Sequence, residues 1–351
     1  MLKYFKSLIC LTAVLGLLVV LTGCPKTANK TEPKRKMYFS FFDTVSYVSS
    51  YADDTEEEFE ARCGEVADIL TKYHRLFDIY HEYSGVVNLQ TLNLGAGGDP
   101  IKVDRELIDF LLCAKQLYQL TNGEMNVMMG SVLRLWHECR ENASADPTWA
   151  RIPTEQELAE AAVHTDISCL EIDEERQTVR ISDPQASIDV GALGKGYATE
   201  RAAEYLASIG ADSYVLDIGG NIRIVGHKPD GSSWSTAIKD PSDPQTYALT
   251  LMLADTSCVT SGDYERSFTV DGQRYHHIID KDTWMPPTYF RSVSVITADS
   301  ALADALSTAL FAMSYEEGRA IVEQIGHVEV VWITSDGTQY GTEGIERLIK
   351  R

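Results

Sequence analysis

Apolar positions recur along this chain in two rhythms, a helical one in the first half and a two-residue alternation later. Thr55-Glu-Glu-Glu58 has the form of a capping box, and Phe59, Val66, Leu70, Tyr73, Phe77 and Tyr80 follow it at helical spacing. A second helix is predicted after Asp104, with Leu107, Leu111, Ala114 and Leu117 as its apolar face and Gly123 just past its end. The glycine- and asparagine-bearing stretch Tyr83 to Gly98 predicts a loop, and Val127 to Cys139 a third helix. After a Pro-marked loop from Asn142 to Pro153, Thr154-Glu-Gln-Glu157 caps one more short helix. From there the pattern changes to strands: Cys169 to Ile172, Val179 to Ile181, Tyr214 to Ile218, Ile222 to Val225 and Ala248 to Leu253, with a hairpin turn at Asp271-Gly272. Helices early, strands late and a mixed middle predict an α+β fold in a single large domain, with a largely antiparallel sheet, rather than a doubly wound one.

The N-terminus does not belong to that domain. Lys3 and Lys6 precede an uncharged apolar run from Leu8 to Leu21, shorter than the ~20 residues of a spanning helix. The run ends in Leu21-Thr22-Gly23-Cys24, which resembles the lipobox of bacterial lipoproteins. Residues 1–23 are therefore expected to be a signal peptide, and residues 24–36 a lipidated Cys24 with a polar, Lys-rich tether. The domain at 37–351 is expected outside the cytoplasm, lipid-anchored to the bacterial cell membrane.

Charge narrows the partners. Residues 1–23 hold two lysines and no acids, so without them 29 basic residues face 52 acidic ones, a net of −23. Such a surface excludes nucleic acid as the expected partner, and an anionic ligand needs a concentrated local cation. Beyond Cys24 the cysteines show no paired short spacing, which argues against a disulfide framework. His137-Glu-Cys139 has no further clustered ligand and reads as helix packing.

Three stretches carry candidate chemistry. In Ser187-Ile-Asp-Val-Gly-Ala-Leu-Gly-Lys-Gly-Tyr-Ala198, Ile188 and Val190 alternate as in a half-buried strand, and a helix is expected to open at Tyr197. A glycine turn at a helix N-terminus suits an anion, and Lys195 adds a formal charge, although the spacing is no Walker loop. Tyr275-His276-His277-Ile-Ile-Asp280 sets two imidazoles near a carboxylate; strand alternation pairs His276 with Asp280, whereas a turn here would favour His277. In Ser300-Ala-Leu-Ala-Asp-Ala-Leu-Ser-Thr-Ala-Leu310, Asp304 and Thr308 share one face of an apolar helix, with Ser307 beside them. A buried carboxylate calls for a partner or cation, and a carboxylate with a hydroxyl suits Mg²⁺.

Taken together, Asp189-Val-Gly-Ala-Leu-Gly-Lys-Gly-Tyr-Ala198, Gly219-Gly220-Asn221, Thr260-Ser-Gly-Asp-Tyr-Glu-Arg266, His277-Ile-Ile-Asp280 and Ala303-Asp-Ala-Leu-Ser-Thr308 resemble, in order, the motifs of the ApbE family of bacterial FAD:protein FMN transferases. Phe42-Asp-Thr44, Tyr83-Ser84 to Asn88 and Thr121-Asn-Gly-Glu-Met-Asn126 agree as well. The resemblance implies an Mg²⁺-dependent enzyme that transfers FMN from FAD to a threonine hydroxyl of a flavoprotein and releases AMP. It implies metal ligation by the Ala192 carbonyl, Asp304 and Thr308, with Ser307 a further candidate, and His277 and Asp304 as catalytic residues. It places Tyr80, Glu124, Met125, Asn126, Asp189, Lys195 and Ile278 at the FAD site, with Phe42 nearby. The implied acceptors are exported flavoproteins, such as respiratory-complex subunits or extracellular reductases. Asp280-Lys-Asp-Thr-Trp284 departs from the family's usual Asp-Pro-x-Thr-Gly, Gly194 replaces a common alanine, and Asn126 a frequent aspartate. Two alternatives use the same residues: an FAD pyrophosphatase giving FMN and AMP, and a flavin-carrying lipoprotein without catalysis.

Overall fold

Eight strands pair in strict chain order into one antiparallel sheet: Lys34–Phe41, Thr44–Ser50, Tyr214–Ile218, Asn221–Val225, Ser257–Gly262, Phe290–Thr297, Glu329–Thr334 and Gln339–Gly341. The first two join through Phe42-Asp43, both in the left-handed region at φ 50° and 53°, as a tight hairpin demands. The computed structural model describes residues 33–350 other than Pro244, and Lys34–Arg351 form one unit. The expected signal peptide and Cys24 lie outside the described residues, and the first strand begins at Lys34, inside the stretch read as tether.

Long excursions between strands supply the layers. Helices Glu56–Phe77, Gly194–Ser208 and Ser300–Ala312 share the main core with the sheet, through Phe59, Leu70, Ala198, Ala202, Ala303 and Leu306 among others. The expected capping box forms, with Thr55 and Glu58 each accepting from the other's backbone. A hairpin of Trp234–Lys239 and Tyr247–Leu253 covers part of the opposite face, packing on Ile224, Cys258 and Ile296. Covered on both sides, Val330, Val331, Trp332 and Ile333 are all buried, an unbroken apolar run rather than an alternation. A third cluster gathers helix Gly130–Ala145, helix Glu155–Ala162 and the hairpin Phe268–Val270/Gln273–Tyr275, whose turn is Asp271-Gly272 as expected. This is the α+β architecture that the pattern predicts.

Four local expectations change. Ile188 and Val190 are extended but lie in no sheet: the Asn93 side-chain amide donates to the Ile188 carbonyl at 2.9 Å and accepts its N–H at 2.7 Å, standing in for a neighbouring strand. The helix behind them opens at Gly194, ahead of Tyr197, and the third helix runs Gly130–Ala145 because Val127 is spent on an extended pairing with Asp189. The loop Tyr83 to Gly98 contains a short helix, Leu89–Leu94, capped by Asn88. The five described cysteines beyond Cys24 are all free thiols.

Candidate active site

The site is built where helix Gly194–Ser208 meets helix Ser300–Ala312. Only glycine fits at position 196: a Cβ there would stand 2.3 Å from the Ser300 carbonyl oxygen and 2.4 Å from the Asp304 Cβ. The close approach lets the Gly196 N–H donate to Asp304 Oδ2 at 2.8 Å. Gly196 is the third residue of its helix, and its N–H, which has no acceptor within the helix, is satisfied by Asp304. The Ala192 carbonyl, just ahead of the helix, accepts no protein hydrogen bond among the described residues. Lys195 Nζ lies 3.9 Å from Asp304 Oδ1 and donates to the Gly191 carbonyl at 3.3 Å. Burial pushes the Asp304 carboxyl above the usual range, and Lys195, Gly196 and Asn221 oppose it.

Thr308, one turn further on, has its hydroxyl 3.3 Å from Ser261 Oγ and is only half-buried. Ser307 differs. Its fully buried hydroxyl donates to the Asp304 carbonyl at 2.9 Å and also meets Ser261 Oγ at 2.9 Å, so it is engaged within the protein. No cluster of three His, Cys, Asp or Glu side chains able to hold a metal occurs among the described residues. One carboxylate, one unbonded carbonyl and one hydroxyl form an all-oxygen set, which fits a hard cation such as Mg²⁺ and does not suit zinc or copper.

Beside this corner lies a second group of ionisable residues. His277 is held as a neutral imidazole: burial first, then the positive charges of Arg266, His276, Lys195 and Arg140, push it down to about 3. Its Nδ1 is buried without a partner. Asp189 accepts the Gly191 N–H at 2.9 Å, yet burial raises its carboxyl above the ordinary range against the charges of His137, Arg266 and Arg140. Tyr80, largely exposed, packs its ring 5.6 Å from that of His137, which Arg140 in turn contacts at 2.7 Å. Glu124 pairs with Lys281 at 3.3 Å; its Oε2 is buried and unpartnered, and burial pushes its carboxyl up to about 7.

The expected residues divide accordingly. Asp304 meets Lys195 and Gly196, with Thr308 one turn along its own helix and Ala192 just ahead of the other, and His277, Asp189 and Tyr80 share one set of neighbouring charges. The strand ends at Tyr275, so its alternation does not extend to the histidines; His276 turns into the core, its Nε2 3.0 Å from the Pro287 carbonyl and its ring against Phe311. The side chains of Met125 and Ile278 are buried in the main core. The Asn126 amide is committed to the chain, accepting from Met128 N–H and donating to the Thr165 carbonyl, both at 2.9 Å. Phe42 sits at the hairpin tip, edge-on to His74. The structure adds His137, Arg140, Arg266, Ser261 and Lys281. For the first two the available signal was their shared helix face, three residues apart.

Comparison with known proteins identifies the family. The sequence profile of the ApbE family matches residues 42–332. The chain is 31% identical over 317 residues to an FAD:protein FMN transferase of Treponema pallidum, covering 86% of this chain and 85% of that one. It is 30% identical over 334 residues to one of Vibrio cholerae, covering 92% and 93%. Among solved structures, the ApbE protein from Thermotoga maritima superposes with a TM-score of 0.80 at 26% identity, over 91% of this chain and 100% of that one. The flavin transferase ApbE from Vibrio cholerae gives 0.74 at 26%, over 90% and 100%. With its fold, its ordered motifs and the profile match in agreement, this chain belongs to the ApbE family.

Proposed function

We propose that this protein transfers FMN from FAD to a threonine hydroxyl of a target flavoprotein, forming a phosphoester and releasing AMP. The observation that carries the reading is the Gly196–Asp304 contact, which sets a buried carboxylate at a helix N-terminus beside Lys195. Ala192, Asp304 and Thr308 would hold Mg²⁺, which when bound would neutralise charge developing on the FAD pyrophosphate. Lys195 adds a fixed cation to the same place, and Arg266 and Arg140 concentrate positive charge around His277. In a chain with such an acidic excess, this concentration is what an anionic substrate needs.

The covalent step balances with the residues present. The acceptor hydroxyl oxygen attacks the phosphorus on the FMN side, the bond from that phosphorus to the bridging oxygen breaks, and AMP leaves with the bridging oxygen. His277 is the group proposed to take the hydroxyl proton; its imidazole is neutral in the free protein, and the negative charge of bound FAD would offset the cations that now weaken it as a base. The finer features of the reading rest on sequence: export, a lipid on Cys24, attachment to the bacterial membrane, and an exported acceptor such as a respiratory-complex subunit or extracellular reductase.

The test is to incubate the protein with FAD, Mg²⁺ and a threonine-bearing flavoprotein, following AMP release and the mass of the acceptor. A gain of one FMN, abolished by EDTA, is the expected result. AMP and free FMN without labelling would replace the transferase by a pyrophosphatase, and FAD retention with neither product would leave only a flavin carrier.

A further inference from the structure

The two helices of the site cap one another. Gly196, third in helix Gly194–Ser208, gives its unpaired N–H to Asp304 Oδ2 at 2.8 Å. Ser300, first in helix Ser300–Ala312, gives its N–H to Glu200 Oε2 at 2.7 Å. Asp299, the residue ahead of that helix, accepts the next two N–H groups, from Ala301 at 2.7 Å and Leu302 at 3.2 Å, so the Ser300 N–H is satisfied from the other helix. Gly196 and Glu200 are four residues apart, and so are Ser300 and Asp304. Each helix therefore offers the other one N–H and one carboxylate from a single face. Both carboxylates lie at a positive helix end, which favours their charge. They differ in what else holds them. Arg223, from the sheet, brings its Nε to 3.2 Å from Glu200 Oε2 and is itself held by Asp255 at 3.2 Å. Asp304 has the more distant ammonium of Lys195, at 3.9 Å, so Glu200 is the more fully neutralised of the two.

We propose that Glu200 is a positioning residue for the reaction: by capping helix Ser300–Ala312 it fixes the register in which Asp304 meets Gly196, and so where the Asp304 carboxylate stands for the cation. The role rests on the cation reading given above. One hydrogen bond alone would leave the second helix free to pivot about the Gly196–Asp304 contact; the Glu200–Ser300 bond, one turn away on both helices, removes that freedom. The close approach at Gly196 leaves little room for the pair to shift sideways. An aspartate held in this way meets a cation without first having to be ordered.

The experiment is a Mn²⁺ titration, by electron paramagnetic resonance, of the native protein, Glu200→Ala, Glu200→Gln and the double variant Glu200→Met/Arg223→Met, with FAD binding measured separately in EDTA. Loss of the cap should weaken Mn²⁺ binding by about tenfold in Glu200→Ala and in the double variant. Glu200→Gln keeps an oxygen for the Ser300 N–H and should stay within about threefold of native. FAD affinity in EDTA should remain native in all three. Glu200→Ala leaves Arg223 without its buried partner; should it fail to fold, the double variant, which replaces the buried pair by apolar side chains of similar volume, decides the matter. Native Mn²⁺ affinity in the variants without the cap, a loss in Glu200→Gln as large as theirs, or an equal loss of Mn²⁺ and FAD binding would overturn the role of Glu200 and leave the cation site standing. No Mn²⁺ binding by the native protein would overturn the cation reading and this role with it.

Discussion

Two buried carboxylates that the sequence marks as site candidates are treated in opposite ways. Asp304 receives a backbone N–H at 2.8 Å and has an ammonium nearby, so the charge that burial opposes is supported from two sides. Glu124 has one ammonium, Lys281, and one oxygen shut away from water without a partner. The first arrangement suits a carboxylate that must stay charged to hold a cation; the second suits one that gives up its charge readily. A buried carboxylate is therefore informative through its donors, which are what separate these two roles.

Removing the supported charge should have the largest effect. Asp304→Ala is expected to reduce Mg²⁺-dependent AMP release by about 10²–10³-fold, with FAD still bound, as read by product assay and flavin fluorescence. Next comes the imidazole: His277→Ala should slow turnover by about 10²-fold, while His276→Ala, whose ring lies in the core, should act mainly through stability. Nitrogen-detected NMR should find His277 neutral from pH 8 down to pH 4.5 in the free protein; titration near 6.5 would remove the argument from burial.

Smaller changes bear on the geometry of the contrast. Gly196→Ala must push helix Ser300–Ala312 away, at a cost of about 1–3 kcal/mol, and should weaken cation binding more than FAD binding, measured by denaturation and by titration. Glu124→Gln tests the unsupported carboxylate. Its folded pKa of about 7 lies above the ordinary 4.5, so its contribution to stability is full below 4.5 and is lost as pH rises towards 7. The glutamine variant should match the native protein near pH 4.5 and exceed it at pH 8, by roughly 3 kcal/mol at most, since each pKa unit corresponds to about 1.4 kcal/mol. Urea midpoints at the two pH values check this, and a gap that does not change with pH would contradict it.

What could be read from sequence follows the range of the interactions. The capping box at Thr55 and Glu58 spans three residues and the Asp271-Gly272 turn is two residues long, and both appear as read. The shared face of Asp304 and Thr308 likewise follows from helical geometry alone. The strand assigned to Ile188 failed because its partners are an isolated bridge at Met129 and a single amide, Asn93, 95 residues away. The bond that joins the two helices of the site, Gly196 to Asp304, spans 108 residues. His277 over His276 came from an ordered motif, since the strand's alternation stops at Tyr275 before it reaches either ring. Ser307 and Asn126 illustrate the remaining difficulty: the residue types suit a site, but their polar atoms are engaged by backbone groups, for Asn126 partly by the distant Thr165 carbonyl.

The most direct test is a single-turnover assay with FAD and acceptor protein, comparing the native protein with Asp304→Asn across a Mg²⁺ titration. AMP release by the native protein should rise with Mg²⁺ in step with acceptor flavinylation, and Asp304→Asn should bind FAD yet remain unresponsive to the cation. Full Mg²⁺-dependent release from Asp304→Asn would contradict the account, because the cation would then be held elsewhere.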